Sequence, residues 1–573
     1  MEDLSERIRV ATRRRPADMV LKGGRLINIF THEVIEADVA ICGGVIAAVG
    51  ENYDGNSVVQ VDGMFVCPGL IDAHIHMESS MLHPRVLADS LLVCGTTTII
   101  ADPHEIANVA GLEGIDFMMS ETANIPFDAL FVAPSCVPAS HLETSGARLG
   151  HDELKRLACN PRILGLAEVM NYPAVVEGAE DIMGKIQIFS DRVIDGHAPG
   201  LSGEALQAYV SVGIRSDHEC TTRQEALEKL RAGMTIMIRE GTLAKSLAQL
   251  APLVSHETAS RFCFVSDDLH PQDIRSNGHM NGILRKAVSS GMEPLLAIRL
   301  ATINPASFFR LYDRGAISPG YRADIVIFSD LVNLDVWGVV KNGKMVVANG
   351  QPLEPIAEKE MSSPGSLKIM RVPTINSDDL KIPCEGKKRA RIIELIEGQI
   401  LTRAAVEEIQ GRRGEFPSDT RRDILKIAVT ERYTGSGRVG LGLVRGFKLE
   451  GGAIASSVAH DSHNIVAVGV DAVDIATAIN GIKDMGGGII VAAGGQVIEK
   501  LPLPIAGLMS DLKLDEVVAK LNRLGEASRS LGCPLKDPFM ALSFLALPVI
   551  PEIRLTDLGI IDVSRFEVVP LFL

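Results

Sequence analysis

Residues 63–76 read Gly63-Met64-Phe65-Val66-Cys67-Pro68-Gly69-Leu70-Ile71-Asp72-Ala73-His74-Ile75-His76. An apolar run with the composition of a buried strand ends abruptly in an acid and two histidines. Residues i and i+2 of a strand point to the same side, so His74 and His76 can grip one ion together. The same pattern returns seven times downstream, in GTTTIIADPH (95–104), DALFVAPSCV (128–137), RILGLAEVM (162–170), RVIDGHAPG (192–200), GIRSDHE (213–219), MTIMIREG (234–241) and RFCFVSDD (261–268). Between these runs lie pieces such as TTRQEALEKLRAG (221–233), with apolar positions at helical spacing. Eight such units in succession predict an α/β fold, a (β/α)8 TIM-type barrel.

Barrel enzymes assemble their sites from the C-terminal ends of several strands, because those ends converge around one axis. Here the ends carry Asp102-Pro103-His104-Glu105, Glu168, His197, Asp217-His218-Glu219, Arg239-Glu240 and Ser266-Asp267-Asp268. Each has a plain reading when taken alone. His-x-His can be a polar strand edge, His197 or His218 a hydrogen-bonded barrel histidine, Glu168 a salt-bridge partner, and Asp102-Pro103 a turn former. Six metal-binding residue types at strand ends of one barrel point instead to a metal site. Imidazole and carboxylate together suit Zn, Mn or Fe. A carboxylate shared by two ions would give the spacing of two-metal hydrolytic sites, roughly 3.5–4 Å.

The flanks differ in texture. Short β elements interrupted by glycines occupy Met19–Phe65 and return at Gly320–Asn349. We expect residues 1–65 and 316–355 to form one small β-sandwich beside a barrel of residues 66–315. Residues 356–388, rich in proline, serine and charge, read as a linker, and 389–573 as a separate α+β domain. The 573-residue chain carries a net charge of −15 and only 4% aromatic residues. That balance repels phosphate backbones and offers few stacking platforms, so nucleic acid is excluded as a general partner. Arg13-Arg14-Arg15 reads as a short solvated cluster. Nine cysteines without a CxxC pair fit neither a disulfide framework nor a thiolate zinc site. The N-terminus lacks the apolar core of a secretory signal, and the longest apolar stretch, near 539–551, is too short for a membrane span. A cytoplasmic protein with no membrane association is expected.

The segment PGLIDAHIHMESSML (68–82) resembles the first-strand signature of the amidohydrolase superfamily. Within it, DAHIHMESSML, GTTTIIADPHEIANV, GLAEVMNYPAV, DGHAPGL, SDHE, VSDD and LATINPA resemble the adenine deaminase family, and the last block is similar to that family's C-terminal domain. The resemblance implies two divalent ions per chain, Mn or Fe in first place with Zn as the alternative. It assigns His74 and His76 to the more buried ion, and His197 and His218 to the second. Glu168 is the bridge between them, at a position where many relatives use a carboxylated lysine. Asp267 contacts metal and moves protons, with its neighbour Asp268 as a competitor for that role. The implied reaction, part of purine salvage, is attack of a metal-bridging hydroxide on C6 of adenine, giving hypoxanthine and ammonia. Asp102, His104, Glu105, Arg239, Glu240 and Asp268 are candidates for holding the purine. The superfamily resemblance also implies a homo-oligomer, with a dimer expected.

Two other readings stand beside this one: a binuclear amidohydrolase acting on a cyclic amide or another aminopurine, and a non-catalytic barrel module. The zinc deaminases that act on nucleic acids are excluded, because their H-x-E and P-C-x-x-C pair is absent. In AHDSHN (459–464), His460 and His463 read as loop hydrogen-bonders that could approach the barrel mouth. KDMGGG (483–488) reads as a tight turn, since it lacks the ending of a phosphate loop.

Overall fold

Eight parallel strands follow one another along the chain: Leu70–Ile75 (β1), Thr96–Ala101 (β2), Asp128–Ala133 (β3), Ile163–Val169 (β4), Val193–Gly196 (β5), Ser216–Asp217 (β6), Thr235–Arg239 (β7) and Phe262–Val265 (β8). In the computed structural model, which describes residues 2–358, 361, 365–396 and 399–573, they form a TIM-type barrel. One arc is hydrogen-bonded in the order β5-β4-β3-β2-β1 and the other in the order β6-β7-β8. A few backbone bonds join the arcs. Arg215 N donates to Ile194 O at 3.2 Å on one side, and Asp267 N donates to His74 O at 2.9 Å on the other. Every residue of β1 and β2 is buried, which is why these strands read as unbroken apolar runs. An apolar cluster draws on seven of the eight strands, through Ile71, Ala73, Ile100, Val132, Ala167, Val193, Met237, Cys263 and Val265. Such a set is an interior that the strands share.

The run 63–74 is not one strand, as its sequence suggests. It breaks at Gly69, where a Cβ would lie 2.4 Å from Thr97 Oγ1, so the chain can pass β2 only without a side chain. Phe65–Pro68 before the break belongs to a nine-stranded sheet built from both sides of the barrel. There it lies between Ala17–Asn28 and Ile325–Phe328, pairing Cys67 with Val326. The barrel therefore starts at Leu70 rather than at residue 66. The expected sandwich is one continuous sheet. Ala17–Asn28 pairs with Glu33–Cys42 on one side and, in turn, with Gly55–Gln60 and Phe65–Pro68 on the other.

Buried charges fasten the start of β3 to this sheet. Asp128 Oδ2 accepts from Lys341 Nζ and Arg314 Nη1, both at 2.7 Å, and Lys341 also reaches Asp324. Burial would raise the Asp128 carboxyl, but Lys341, Arg314 and Arg322 pull it down from 3.8 to about 2. A carboxyl depressed on folding stabilises fully above its unfolded value and loses that contribution as pH falls through the folded one. At 1.36 kcal/mol per unit, the contribution is about 2 kcal/mol. We expect Asp128→Asn to lower unfolding free energy by about that amount at pH 7, with the gap closing between about pH 4 and pH 2. Denaturant melts of parent and variant at both ends of that range check it.

Beyond the nine-stranded sheet, an eight-stranded sheet carries helices Ala472–Asp484 and Leu514–Ser530, and a three-stranded sheet follows near the end of the chain. The stretch GGIIVAAGGQVIEKLP is two strands, Gly488–Ala493 and Gln496–Pro502, folded back at Gly494-Gly495 with φ of +61° and +73°. The expected linker of 356–388 includes residues 359–360 and 362–364, which lie outside the described residues, and its end already belongs to the strand Lys387–Leu395. Arg15 of the basic run pairs with Glu6 and Asp18. None of the nine cysteines forms a disulfide, and eight are buried. Among the described residues, no helix is long and apolar enough to cross a membrane.

Candidate metal centre

The ends of β1, β4, β5, β6 and β8 converge on one carboxylate, Glu168, which is 3% exposed. Its two oxygens face different partners. Oε1 lies 3.4 Å from His76 Nε2 and 3.9 Å from His74 Nε2, while Oε2 lies 2.7 Å from His197 Nδ1 and 3.3 Å from His218 Nε2. Asp267 joins the first group, with Oδ1 3.0 Å from His76 Nε2 and 3.6 Å from His74 Nε2. Atoms that share one ion at about 2.1 Å stand roughly 3–3.5 Å from each other, so both groups have the dimensions of a coordination sphere.

Hydrogen-bond chemistry supports the fit. His76 Nδ1 faces the Asp102 carbonyl at 3.1 Å and His74 Nδ1 faces Asp195 Oδ2 at 3.0 Å. Both partners can only accept, so each Nδ1 carries the proton and each Nε2 presents a lone pair. Those two bare nitrogens stand 3.2 Å apart and face two carboxylate oxygens, an arrangement suited to a shared cation. Asp195 is held in turn by Ser216 Oγ and by Gly196 N at 2.9 Å. At the second group, Tyr209 fixes the backbone, its hydroxyl accepting from His197 N at 3.0 Å and donating to Val169 O at 2.7 Å. Lys229, fully buried, donates to Ala198 O and to Asp217 Oδ2, and so fastens the residues that follow His197 and precede His218.

Asp267, not Asp268, reaches the cluster. It sits at φ +58°, a left-handed conformation that costs a non-glycine residue about 1–3 kcal/mol, and is pinned there between His74 O and His76 N. Burial would raise its carboxyl, but the Arg239 guanidinium on Oδ2 holds it well below the usual carboxylate range. Glu168 is likewise pushed up by burial and held down by His197 and His218. Asp268 instead accepts from Ser79 Oγ.

The candidate purine contacts divide. Asp102 and His104 stand at the cluster, with His104 Nδ1 2.9 Å from Asp102 Oδ2 and 3.5 Å from Glu168 Oε1. Glu105 lies one step outward, accepting from His460 Nδ1 and His463 Nε2. His460 and His463 therefore do approach the barrel mouth, and they do so as hydrogen-bonders. Arg239 is engaged by Asp267 and Glu219. Glu240 is not brought to the cluster. It points the other way, accepting from Leu247 N and pairing with Lys286 at 3.2 Å. Asp195, Tyr209 and Lys229 were not singled out from the sequence, and Glu219 was named there only as part of a strand end, without a role. Asp195 had a usable signal, since it stands two residues before His197 on the same strand face.

The Amidohydrolase family profile matches residues 65–346, and the Adenine deaminase C-terminal domain profile matches residues 399–567. Adenine deaminase 2 of Carboxydothermus hydrogenoformans is 47% identical over 577 residues, covering all of both chains. The chain belongs to the adenine deaminase family. The likeness extends across it: adenine deaminase of Desulfatibacillum aliphaticivorans is 46% identical over 97% of both chains, and that of Geobacillus kaustophilus 42% identical over 99% of both. In this adenine deaminase family member, the region matching the C-terminal profile supplies His460, Asp461 and His463 to the barrel mouth.

Proposed function

We propose that the chain hydrolyses adenine to hypoxanthine and ammonia at two divalent ions. The observation that carries this reading is the division of Glu168, one oxygen toward His74 and His76, the other toward His197 and His218. His74, His76, Glu168 and Asp267 would hold one ion, and Glu168, His197 and His218 the other. Mn and Fe suit this set first, with Zn as the alternative. Ions held there would acidify a bound water to near neutrality and so provide the nucleophile that replaces the amino group. Asp267 is placed to accept a proton at Oδ1 and to return it to the departing nitrogen. Arg239 orients it by binding Oδ2 at 2.6 Å, which leaves Oδ1 toward the reacting atoms. Asp102 and His104 border the purine.

The test is ammonia release from adenine by metal-loaded protein, before and after chelation, beside a hydantoin-type ring. Release that is lost on chelation and restored by Mn, Fe or Zn supports the proposal. Cleavage of the hydantoin with none of adenine would favour a cyclic amidohydrolase, and metal content well under one ion per chain would favour a silent barrel.

Asp195 offers a finer check. Carboxylates that orient a ligating imidazole typically contribute 10–100-fold to metal affinity. We expect Asp195→Asn to weaken metal binding by about that factor in a chelator-competition titration. Unchanged affinity would show that His74 is oriented by packing alone.

A further inference from the structure

A loop of the C-terminal region ends inside the barrel mouth. Between His460 and His463, which both bind Glu105, Asp461 is 3% exposed. Its Oδ1 lies 3.9 Å from His104 Nε2, and its buried Oδ2 has no hydrogen-bond partner among the described residues. On the other side of the same imidazole, His104 Nδ1 lies 3.5 Å from Glu168 Oε1. One ring therefore separates Asp461 from the proposed metal bridge.

The loop is fixed in that position. His460 N donates to Ser543 O at 3.0 Å, His463 N to Ala459 O at 2.7 Å, and Asn464 Nδ2 to Thr144 O at 2.8 Å, while Tyr433 Oη donates to Ser462 O. Asp461 is thus held with an acceptor turned inward and unanswered. Asp102 Oδ1, whose carboxylate faces the same His104 imidazole, is likewise buried without a partner among the described residues. Leaving a desolvated acceptor unpaired is unfavourable, so Asp461 Oδ2 calls for a ligand that brings an N–H group.

Adenine brings donors at two places. The amino group sits on the carbon that reacts, and a single ring N–H sits on the five-membered ring at the opposite edge. With C6 at Glu168, the amino group is used there and the far edge extends past His104. We propose that Asp461 is a substrate-binding residue that accepts the ring N–H of the five-membered ring, and that it selects the free purine base over N9-substituted purines. A substituent at N9 removes the donor and presses carbon against a desolvated carboxylate, and sites built to pair a polar group reject analogues that lack it. A nucleotide phosphate would in addition meet Asp461 and Glu105 as like charges.

The inference rests on the reaction proposed above, with C6 at the six-ligand centre. The experiment measures KM and kcat for adenine and 9-methyladenine in the parent, Asp461→Asn and Asp461→Ala, with metal content and unfolding midpoint recorded for each. The parent should prefer adenine. Both variants should raise KM for adenine at least about tenfold, the value of one hydrogen bond to a charged group. Metal content should be unchanged, kcat should move less than KM, and the preference over 9-methyladenine should shrink by a similar factor. Equal losses on both substrates, or an unchanged KM for adenine, would overturn the proposal. Asp461→Asn keeps the shape of the side chain should Asp461→Ala fold poorly. Equilibrium binding of the two purines to the same proteins makes the comparison without turnover, so failure of the reaction reading and failure of this one are told apart.

Discussion

Asp267→Asn should lower kcat for adenine by about 10²–10⁴-fold, the range that a positioned general acid–base group contributes. The substitution keeps the shape but removes the proton-accepting oxygen from a carboxylate that Arg239 holds ionised. Arg239 then keeps Glu219 as its remaining anionic partner, so the clamp survives in part. Because the same oxygen faces the His74 and His76 nitrogens, metal content must be measured on the assayed protein. Activity within tenfold of the parent at full metal content would remove Asp267 from proton transfer. The loss should fall on kcat more than on KM, as expected for an interaction made mainly in the transition state.

Glu168→Gln should be the second severe lesion, and its signature is different. Glu168 touches both histidine pairs. An amide supplies one neutral oxygen, and its NH2 would meet bare imidazole nitrogens on the other side. We expect dialysed protein to retain less than half its metal and ammonia release to fall by about 10³-fold or more, a loss of about 4 kcal/mol in transition-state stabilisation. Metal analysis beside kinetics decides it, and full metal content would show that the two ions do not depend on a shared carboxylate. The two variants therefore separate: in one, proton movement is lost even when activity is normalised to bound metal, and in the other the ions themselves are lost.

The barrel was legible because its strands are buried on both faces and end in sharply polar residues, so their limits are punctuated in the sequence. The six candidate ligands were legible for the same reason, each lying within a few residues of the point where an apolar run turns polar. What escaped has physical causes. Adjacent residues of a strand point to opposite faces, so Arg239 and Glu240 could not both face the mouth. The structure turns Arg239 inward and Glu240 toward Lys286. Nothing local says that Arg239 would be engaged by Asp267 rather than by a purine, since that depends on a partner in the next strand. Asp461 is harder still. Its neighbourhood of His104 and Glu105 lies more than 350 residues away in the chain, and no periodicity encodes a contact made only when two regions pack. The break at Gly69 was missed because the strands on either side are equally apolar.

The place of Phe65–Pro68 in the nine-stranded sheet sets an order of events during synthesis. Its neighbour on one side, Ala17–Asn28, has already been made, but its neighbour on the other, Ile325–Phe328, emerges only after the whole barrel. Until then the strand carries an open edge of unpaired amides and carbonyls, the kind of surface that recruits other chains. Pairing across that separation is slow to form, because the intervening loop must be closed before the contact stabilises anything. A ribosome-bound chain that stops short of residue 325 should therefore be protease-sensitive and prone to self-association through this edge, however complete its barrel.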